Sequence, residues 1–392
     1  MRSVTVDGHS ERWLRRGFPW VYPAELAGPG AASGEVVSVV ARNGDALGTG
    51  VFDGGWVAIR VMRAEGGPLD DAWLTGVLER ACALRAVVVG ADTDAYRCVH
   101  GENDGLPGVR VDRWGSVASI VLDAPSLERF TKPIISWLSA RGFTGVVRGF
   151  RPDHRDAGAK ALAAAVVWGD VPEEVEVREH GLRYGVWPMD APDCGLYCDL
   201  RETRAWLSSR WKGTRVLNLF AYTGAFTVSA AAGGASELTT VDLARPALDR
   251  ARTNVERNGF DGDRFQWMAD DVFRALDALR RSNRRFDRIV LDPPAFSRSE
   301  SGTWSAQKDW PRLVSSATRV LADEGWIVVV SNQGELSPHE FHGLVVEGLG
   351  KVRRPGRLLF SGSQAPDFPA ASGFPEGRYL KVAVWAVGAA PP

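Results

Sequence analysis

From residue 200 onward the chain repeats one pattern: a short run of branched apolar residues, then a stretch with helical spacing. The runs are RVLNLF, ELTTVDL, RFQWMA, FDRIVLD and WIVVVS, and helical stretches lie between them, notably over 245–258 and 308–322. Strands that are apolar on both faces and alternate with helices require a parallel sheet covered on both sides. The tail, RRPGRLLFSG and then EGRYLKVAVWAV, reads as two further strands, antiparallel at the sheet edge. A sheet wound in this way takes its ligand beyond the carboxyl ends of its strands.

The residues before this region follow other rules. Over the first 66, segments such as GEVVSVVA, ALGTGVFD and WVAIRVM are split by Asn43-Gly44 and Asp53-Gly54-Gly55. Short strands joined by strong turn formers point to a small β-barrel. After Gly66-Gly67-Pro68 the pattern becomes helical over 71–88, followed by strands in GLPGVRVDRWG and SVASIVLD, a helix near 126–141 and a strand in GVVRGF. This is an α+β unit. A hairpin is expected from VEVREHGLRYGVWP, turned at His180-Gly181. The division is therefore 1–66, 67–174 and 175–392, and 392 residues suffice for three cores.

No apolar run approaches the roughly 20 residues of a membrane helix, and the N-terminus lacks a hydrophobic signal core, so the expected address is the cytoplasm. Four cysteines are too few for a disulfide scaffold. Cys194 and Cys198 have no histidine-rich partner cluster, which argues against zinc, and no metal is expected. A net charge of -1 argues against coating nucleic acid by bulk electrostatics. Local patches remain: Arg12, Arg15 and Arg16 cluster near the start, and Arg148, Arg151 and Arg155 group with His154. The first cluster, on a self-contained β domain, is a candidate RNA-binding surface. Most of the fifteen tryptophans belong to cores.

The strand ends carry the chemistry. After RVLNLF comes Ala221-Tyr222-Thr223-Gly224, where Gly224 permits a tight turn, and there is no GxGxxG phosphate loop. The second strand ends at Asp242, 24 positions after Asn218, where a carboxylate can accept from both hydroxyls of a ribose. A helix-start acid is the plainer reading of Asp242. Asp270-Asp271-Val272-Phe273 follows the third strand and can take an adenine amine on one carboxylate with Val272 or Phe273 over the ring. The fourth ends in Asp292-Pro293-Pro294-Ala295-Phe296, whose prolines fix the backbone and present a flat apolar surface to a planar base. These features together fit a nucleoside cofactor without phosphates, S-adenosylmethionine.

The motifs also carry a resemblance across essentially the whole chain. RRGFPWV at 15–21 resembles the opening of a PUA domain, and GENDGLPGVRVDR at 101–113 is similar to a signature joining PUA and catalytic domains. CGLYCDLR at 194–201, 218–226, 292–296 and FPEGRYLK at 374–381 complete a likeness to the RlmI-type ribosomal RNA large-subunit methyltransferases. The resemblance implies a Rossmann-like class I methyltransferase domain, an N-terminal PUA-like barrel and a central α+β domain, with large-subunit ribosomal RNA as partner. A homodimer is compatible with it. It implies cofactor contacts from Tyr197, Asp199, Arg201, Asn218, Phe220, Tyr222, Thr223, Gly224, Asp242, Leu243, Asp271, Val272 and Asp292. Asp292, Pro293, Phe296 and Asn332 are the implied catalytic set.

One stretch departs from the family. RlmI-type cytosine carbon-5 enzymes have Phe-Ser-Cys-Ser-Gly after the fifth strand, and the cysteine attacks carbon 6 of the pyrimidine. Here the stretch is Val330-Ser331-Asn332-Gln333-Gly334, and an amide cannot form that adduct. The Ser-Asn pair instead resembles RlmK enzymes, which methylate guanine at nitrogen 7. Four readings stay open: guanine nitrogen-7 methylation, favoured; cytosine carbon-5 methylation; a small-molecule methyltransferase; and a non-catalytic RNA-binding protein.

Overall fold

The computed structural model describes residues 1–151, 163–294, 298–299, 302–303 and 306–389. Two compact units divide the chain: Met1–Glu179 with Val186–Cys194 and Pro366–Gly377, and His180–Gly185 with Gly195–Ala365 and Arg378–Pro392.

The first unit opens with β1 (Arg2–Thr5), α1 (Gly8–Leu14), β2 (Trp20–Val21), β3 (Val36–Val40), β4 (Ala46–Phe52) and β5 (Ile59–Arg63), in a sheet of order β1-β3-β4-β5-β2. The expected turns are present, with Gly44 and Gly54 at φ 91 and 77. Helix α1 was not expected. It forms because Asp7 caps it, accepting from the amides of His9 (3.0 Å) and Ser10 (2.8 Å), and because Leu14 is buried. Seven residues are too few for helical periodicity to show in the sequence. A second sheet follows α2 (Asp71–Val88): β6 (Ala95–His100), β7 (Val109–Trp114), β8 (Val117–Leu122), α3 (Thr131–Ser139), β9 (Gly145–Phe150) and β10 (Ala165–Gly169), ordered β10-β9-β8-β7-β6. The helix expected over 126–141 is shorter, because Pro125–Phe130 forms a separate 3-10 turn. Then come β11 (Val175–Glu179) and β12 (Leu182–Val186), turned where His180 and Gly181 take φ 48 and 76.

The second unit runs α4 (Arg201–Ser208), β13 (Arg215–Leu219), α5 (Ala225–Ala232), β14 (Glu237–Asp242), α6 (Arg245–Arg257), β15 (Phe265–Ala269), α7 (Val272–Arg281) and β16 (Phe286–Leu291). After the short β17 (Arg298–Ser299) and β18 (Gly302–Thr303) come α8 (Ala306–Thr318), β19 (Leu321–Ser331), α9 (Pro338–Lys351), β20 (Gly356–Gly362) and β21 (Lys381–Val387). The sheet order is β15-β14-β13-β16-β19-β21-β20, parallel except for β21, which runs antiparallel between β19 and β20. The antiparallel tail is as the sequence pattern predicts.

Side-chain alternation splits the core over both faces. Leu217 and Leu219 pack with α7, α8 and α9, and Val216 packs with α4 and α5. Strand order reverses between the parallel neighbours β13 and β16, so their carboxyl ends bound the crevice where such sheets take ligands. Asn254 of α6 holds this end. Its Nδ2 donates to the Thr223 carbonyl (3.0 Å), and its Oδ1 accepts the Gly185 amide (2.7 Å), fully buried. Asn254→Ala leaves both groups unpaired and should cost about 1–3 kcal/mol in urea unfolding; a change within a few tenths would show the pairing to be dispensable.

Candidate active site

The loop after β13 is folded back on itself. Phe220, Tyr222 and Gly224 have φ 57, 50 and 77, and the first two carry side chains that disfavour this region. Each such residue stores on the order of 1–3 kcal/mol, so the surroundings must over-determine it. They do: the Ala221 amide donates to the Val241 carbonyl (3.1 Å), the Tyr222 amide to Asp242 Oδ2 (2.8 Å), and Thr223 Oγ1 to the Gly195 carbonyl. Gly224 is required twice, by its φ and because a Cβ would lie 2.7 Å from that of Ala251. The backbone at the start of α5 is thereby packed directly against α6, leaving no room for a side chain at 224.

Asp242 serves two loops at once, since its Oδ1 accepts the Ala244 amide (2.9 Å) ahead of α6. Asp242 is the last residue of β14 and does not cap α6, whose N-cap is Ala244 without a side-chain bond. A carboxylate has about four lone-pair positions, so acceptance from a ribose remains compatible with both bonds. Asp271 caps α7, its Oδ1 accepting from Phe273 (3.0 Å) and Arg274 (3.2 Å), while Asp270 Oδ1 accepts the Asp271 amide (2.8 Å) and pairs with Arg274 at 3.1 Å. Val272 is buried, and Leu243 is exposed. The Asn218 side chain lies inside: its Nδ2 donates to Thr227 Oγ1 (3.0 Å), which meets Thr240 Oγ1 (2.9 Å). Its observed contacts brace β13, α5 and β14 against each other.

The 197–201 turn forms the next wall. The Tyr197 ring is 5.4 Å from that of Tyr222 and is exposed. Arg201 is buried with its Nε toward Glu202 (3.3 Å), and Arg204, which the sequence reading passed over, donates to the Tyr197 carbonyl (2.9 Å). Asp199 Oδ2 accepts from the Tyr379 hydroxyl (2.7 Å), so the late FPEGRYLK motif reaches this wall. That motif was noted in the sequence, but no contact for Tyr379 could be read from it.

Asp292 follows β16. Burial pushes its carboxyl up to about 7, and the negative charge of Asp199 adds to the effect against the pull of Arg204. Pro293 is buried and Pro294 exposed, while Phe296 lies outside the described residues, as do Arg155 and His154. Asn332 follows β19 and is exposed. The cysteines offer no nucleophile there. Cys98, Cys194 and Cys198 are buried, and burial pushes the Cys98 and Cys194 thiols up to about 12, where they stay protonated. In the N-terminal cluster, Arg15 is held by Glu11 (2.9 Å) and Asp45 (3.0 Å), Arg16 sits 5.6 Å from the Trp13 ring, and Arg12 is exposed.

Residues 126–360 match the S-adenosylmethionine-dependent methyltransferase family, and residues 4–63 match the PUA-like domain. The chain is 32% identical over 97% of its length, and 97% of the relative's, to the ribosomal RNA large subunit methyltransferase I of Alteromonas mediterranea. The chain belongs to this methyltransferase family. The protein of the same name from Escherichia coli O157:H7 is 31% identical, covering 97% of this methyltransferase and 98% of that relative. Two solved structures at 24% identity share the fold over 99% of the chain: a methyltransferase complexed with SAH (TM-score 0.89) and a SAM-dependent methyltransferase from Streptococcus mutans (TM-score 0.86). The methyltransferase is thus an enzyme that uses S-adenosylmethionine. The Asp242 carboxylate at the β14 end and the lack of a GxGxxG phosphate loop fit that molecule.

The state of Asp292 has a consequence for stability. A folded value near 7 against an unfolded value near 3.8 means the native state holds the proton more tightly. Stability from this group is full below about pH 4 and is lost as pH rises through about 7. Asp292→Asn should therefore be more stable than the wild type by roughly 1–3 kcal/mol at about pH 8, the difference fading toward about pH 4. Equal denaturation midpoints at both pH values would refute the assigned burial.

Proposed function

We propose that this methyltransferase modifies a base of large-subunit ribosomal RNA at a ring nitrogen, with guanine nitrogen 7 the favoured acceptor. The observation that carries the reading is Asn332 at the end of β19, where a cytosine carbon-5 enzyme needs a thiolate, with the described cysteine thiols buried or elsewhere. The relatives named above act, by their names, on large-subunit ribosomal RNA, and the PUA-like segment supports an RNA partner. The working division is 1–66 for RNA binding, 67–174 as the central domain and 175–392 for catalysis, in the cytoplasm. Arg12 and Arg16 serve the RNA surface, with Arg15 holding α1 to Asp45.

When bound, S-adenosylmethionine supplies a methyl group on a positively charged sulfur. Asp242 holds the ribose, Asp271 and Val272 the adenine, and the 220–224 loop with Tyr197, Asp199 and Arg201 the amino-acid part. Guanine nitrogen 7 carries a lone pair and no proton, so the chain needs neither a nucleophile nor a base. What it must do is position. Pro293 and Phe296 offer the flat contact, and Asp292 and Asn332 orient the base edge. The amide donates to the guanine carbonyl, where adenine presents an amine.

Asp242→Ala should weaken cofactor binding by roughly 1–3 kcal/mol in calorimetry, and unchanged affinity would remove the ribose assignment. Asn332→Ala should slow methylation by about ten- to a hundredfold, with 7-methylguanine as the product found by mass spectrometry of digested RNA. Incubation with 5-fluorocytidine-substituted RNA and cofactor should leave no complex that survives denaturation. A covalent complex would return the protein to the cytosine enzymes.

A further inference from the structure

The motif that brings Tyr379 to Asp199 ends in a lysine to which the reading above gives no task. Lys381 opens β21 opposite Ser331 of β19 and is only 5% exposed. Its Nζ donates to the carbonyls of Gln333 and of Tyr379 (2.7 Å). No carboxylate lies within ion-pair distance of it among the described residues. Two carbonyl dipoles satisfy hydrogen bonds but do not neutralise a charge, and a buried cation without a counter-ion is costly. Burial alone pulls the amine down to about 8.

The place of this amine within the sheet selects its ligand. The residues assigned to the cofactor's ribose and adenine follow β14 and β15, at the opposite side of the sheet from β21. Lys381 instead adjoins the turn that carries Asn332, and it grips the carbonyl of the very next residue, Gln333. We infer that Lys381 is a substrate-anion site, taking a phosphate oxygen of the acceptor RNA next to the base that Asn332 orients. The inference rests on the RNA reading above. One ammonium would then set both the acceptor strand and the amide that reads its base. The same oxyanion chemistry is available from the carboxylate of the cofactor's methionine part, so the test separates the two.

The ionisable groups near this strand leave a window for that test. On β19, Asp323 and Glu324 precede Gly325, which pairs with Val387 at the far end of β21, and on β20 Arg357 pairs with Ala386, also far. Glu335 lies in the turn after β19, and Asp292 follows β16 one strand beyond. From α9, His342 meets Trp385 at 5.8 Å, and burial lowers its value below the ordinary histidine range. Between about pH 7.5 and about pH 9.5 His342, lowered by burial, stays neutral and Asp292, pushed up to about 7, is already mostly ionised, so Lys381, pulled down to about 8, is the group here whose charge changes most.

The full-length protein is tested for retention of a large-subunit ribosomal RNA transcript against salt concentration. In the wild type the salt slope should be steeper by about one at about pH 7.5 than at about pH 9.5. Lys381→Met should show the shallow slope at both, Lys381→Arg the steep slope at both, and cofactor affinity by calorimetry should stay within about twofold. A wild-type slope that ignores pH overturns the inference even if neither variant folds. A loss of cofactor affinity with RNA retention unchanged assigns the amine to the methionine carboxylate and overturns it as well. If the wild type retains no RNA at all, the RNA reading falls and this inference with it, whereas retention with pH-independent slopes overturns the inference alone.

Discussion

The carboxylate of Asp242 accepting the Tyr222 amide is the bond on which the cofactor side of this enzyme turns. Two non-glycine residues of the 220–224 loop sit at positive φ, a conformation the chain would not keep unaided. The strain is tolerated because Asp242, the Val241 carbonyl, Gly195 and Asn254 each hold one atom of the loop. The carboxylate therefore shapes the backbone that meets the cofactor before it touches any ligand. Under the proposed ribose role, a residue that also braces the loop would couple fold stability directly to cofactor affinity.

At the other side of the crevice the cost is electrostatic rather than conformational. Asp292 is held near 7 by burial and by Asp199, and Lys381 is pulled down by burial with only carbonyls for company. The structure keeps both groups in a poor medium for charge. Such groups interact more strongly with an incoming ligand than they would in water, because the low local dielectric weakens screening. Tyr379 and Lys381, two residues apart on one segment, tie the 199 turn and the 333 turn, so both walls are set by a single short stretch of backbone.

Much of this architecture was legible because buried parallel strands leave an unmistakable mark. The runs ending at Leu219, Asp242, Ala269, Leu291 and Ser331 each form the expected strand, and the helix expected over 71–88 forms as Asp71–Val88. Elements that depend on one cap or one pairing partner were not legible. Helix α1 rests on Asp7, and β6 and β10 owe their place to the edges of the second sheet. The same holds within the site. Gly224 announced a turn, but nothing in Phe220 or Tyr222 announces a positive φ, since that conformation is imposed by distant acceptors. Nor does the sequence say that alternation along β13 turns the Asn218 side chain to Thr227, which in turn meets Thr240.

By itself, the sequence determined the fold class, the strand ends expected to carry chemistry and the presence of an amide, Asn332, where the family resemblance leads one to expect a thiol. These are properties of local pattern and of residue chemistry, and they survive without coordinates. Only the tertiary structure decided which of the acids are already engaged, that Asp292 and Asp199 influence one another, and that a lysine with no carboxylate at ion-pair distance among the described residues stands beside Asn332. Charge effects of this kind depend on distance and burial, and residues 93 positions apart, such as Asp199 in the turn before α4 and Asp292 after β16, influence one another only once the fold has brought the two segments together.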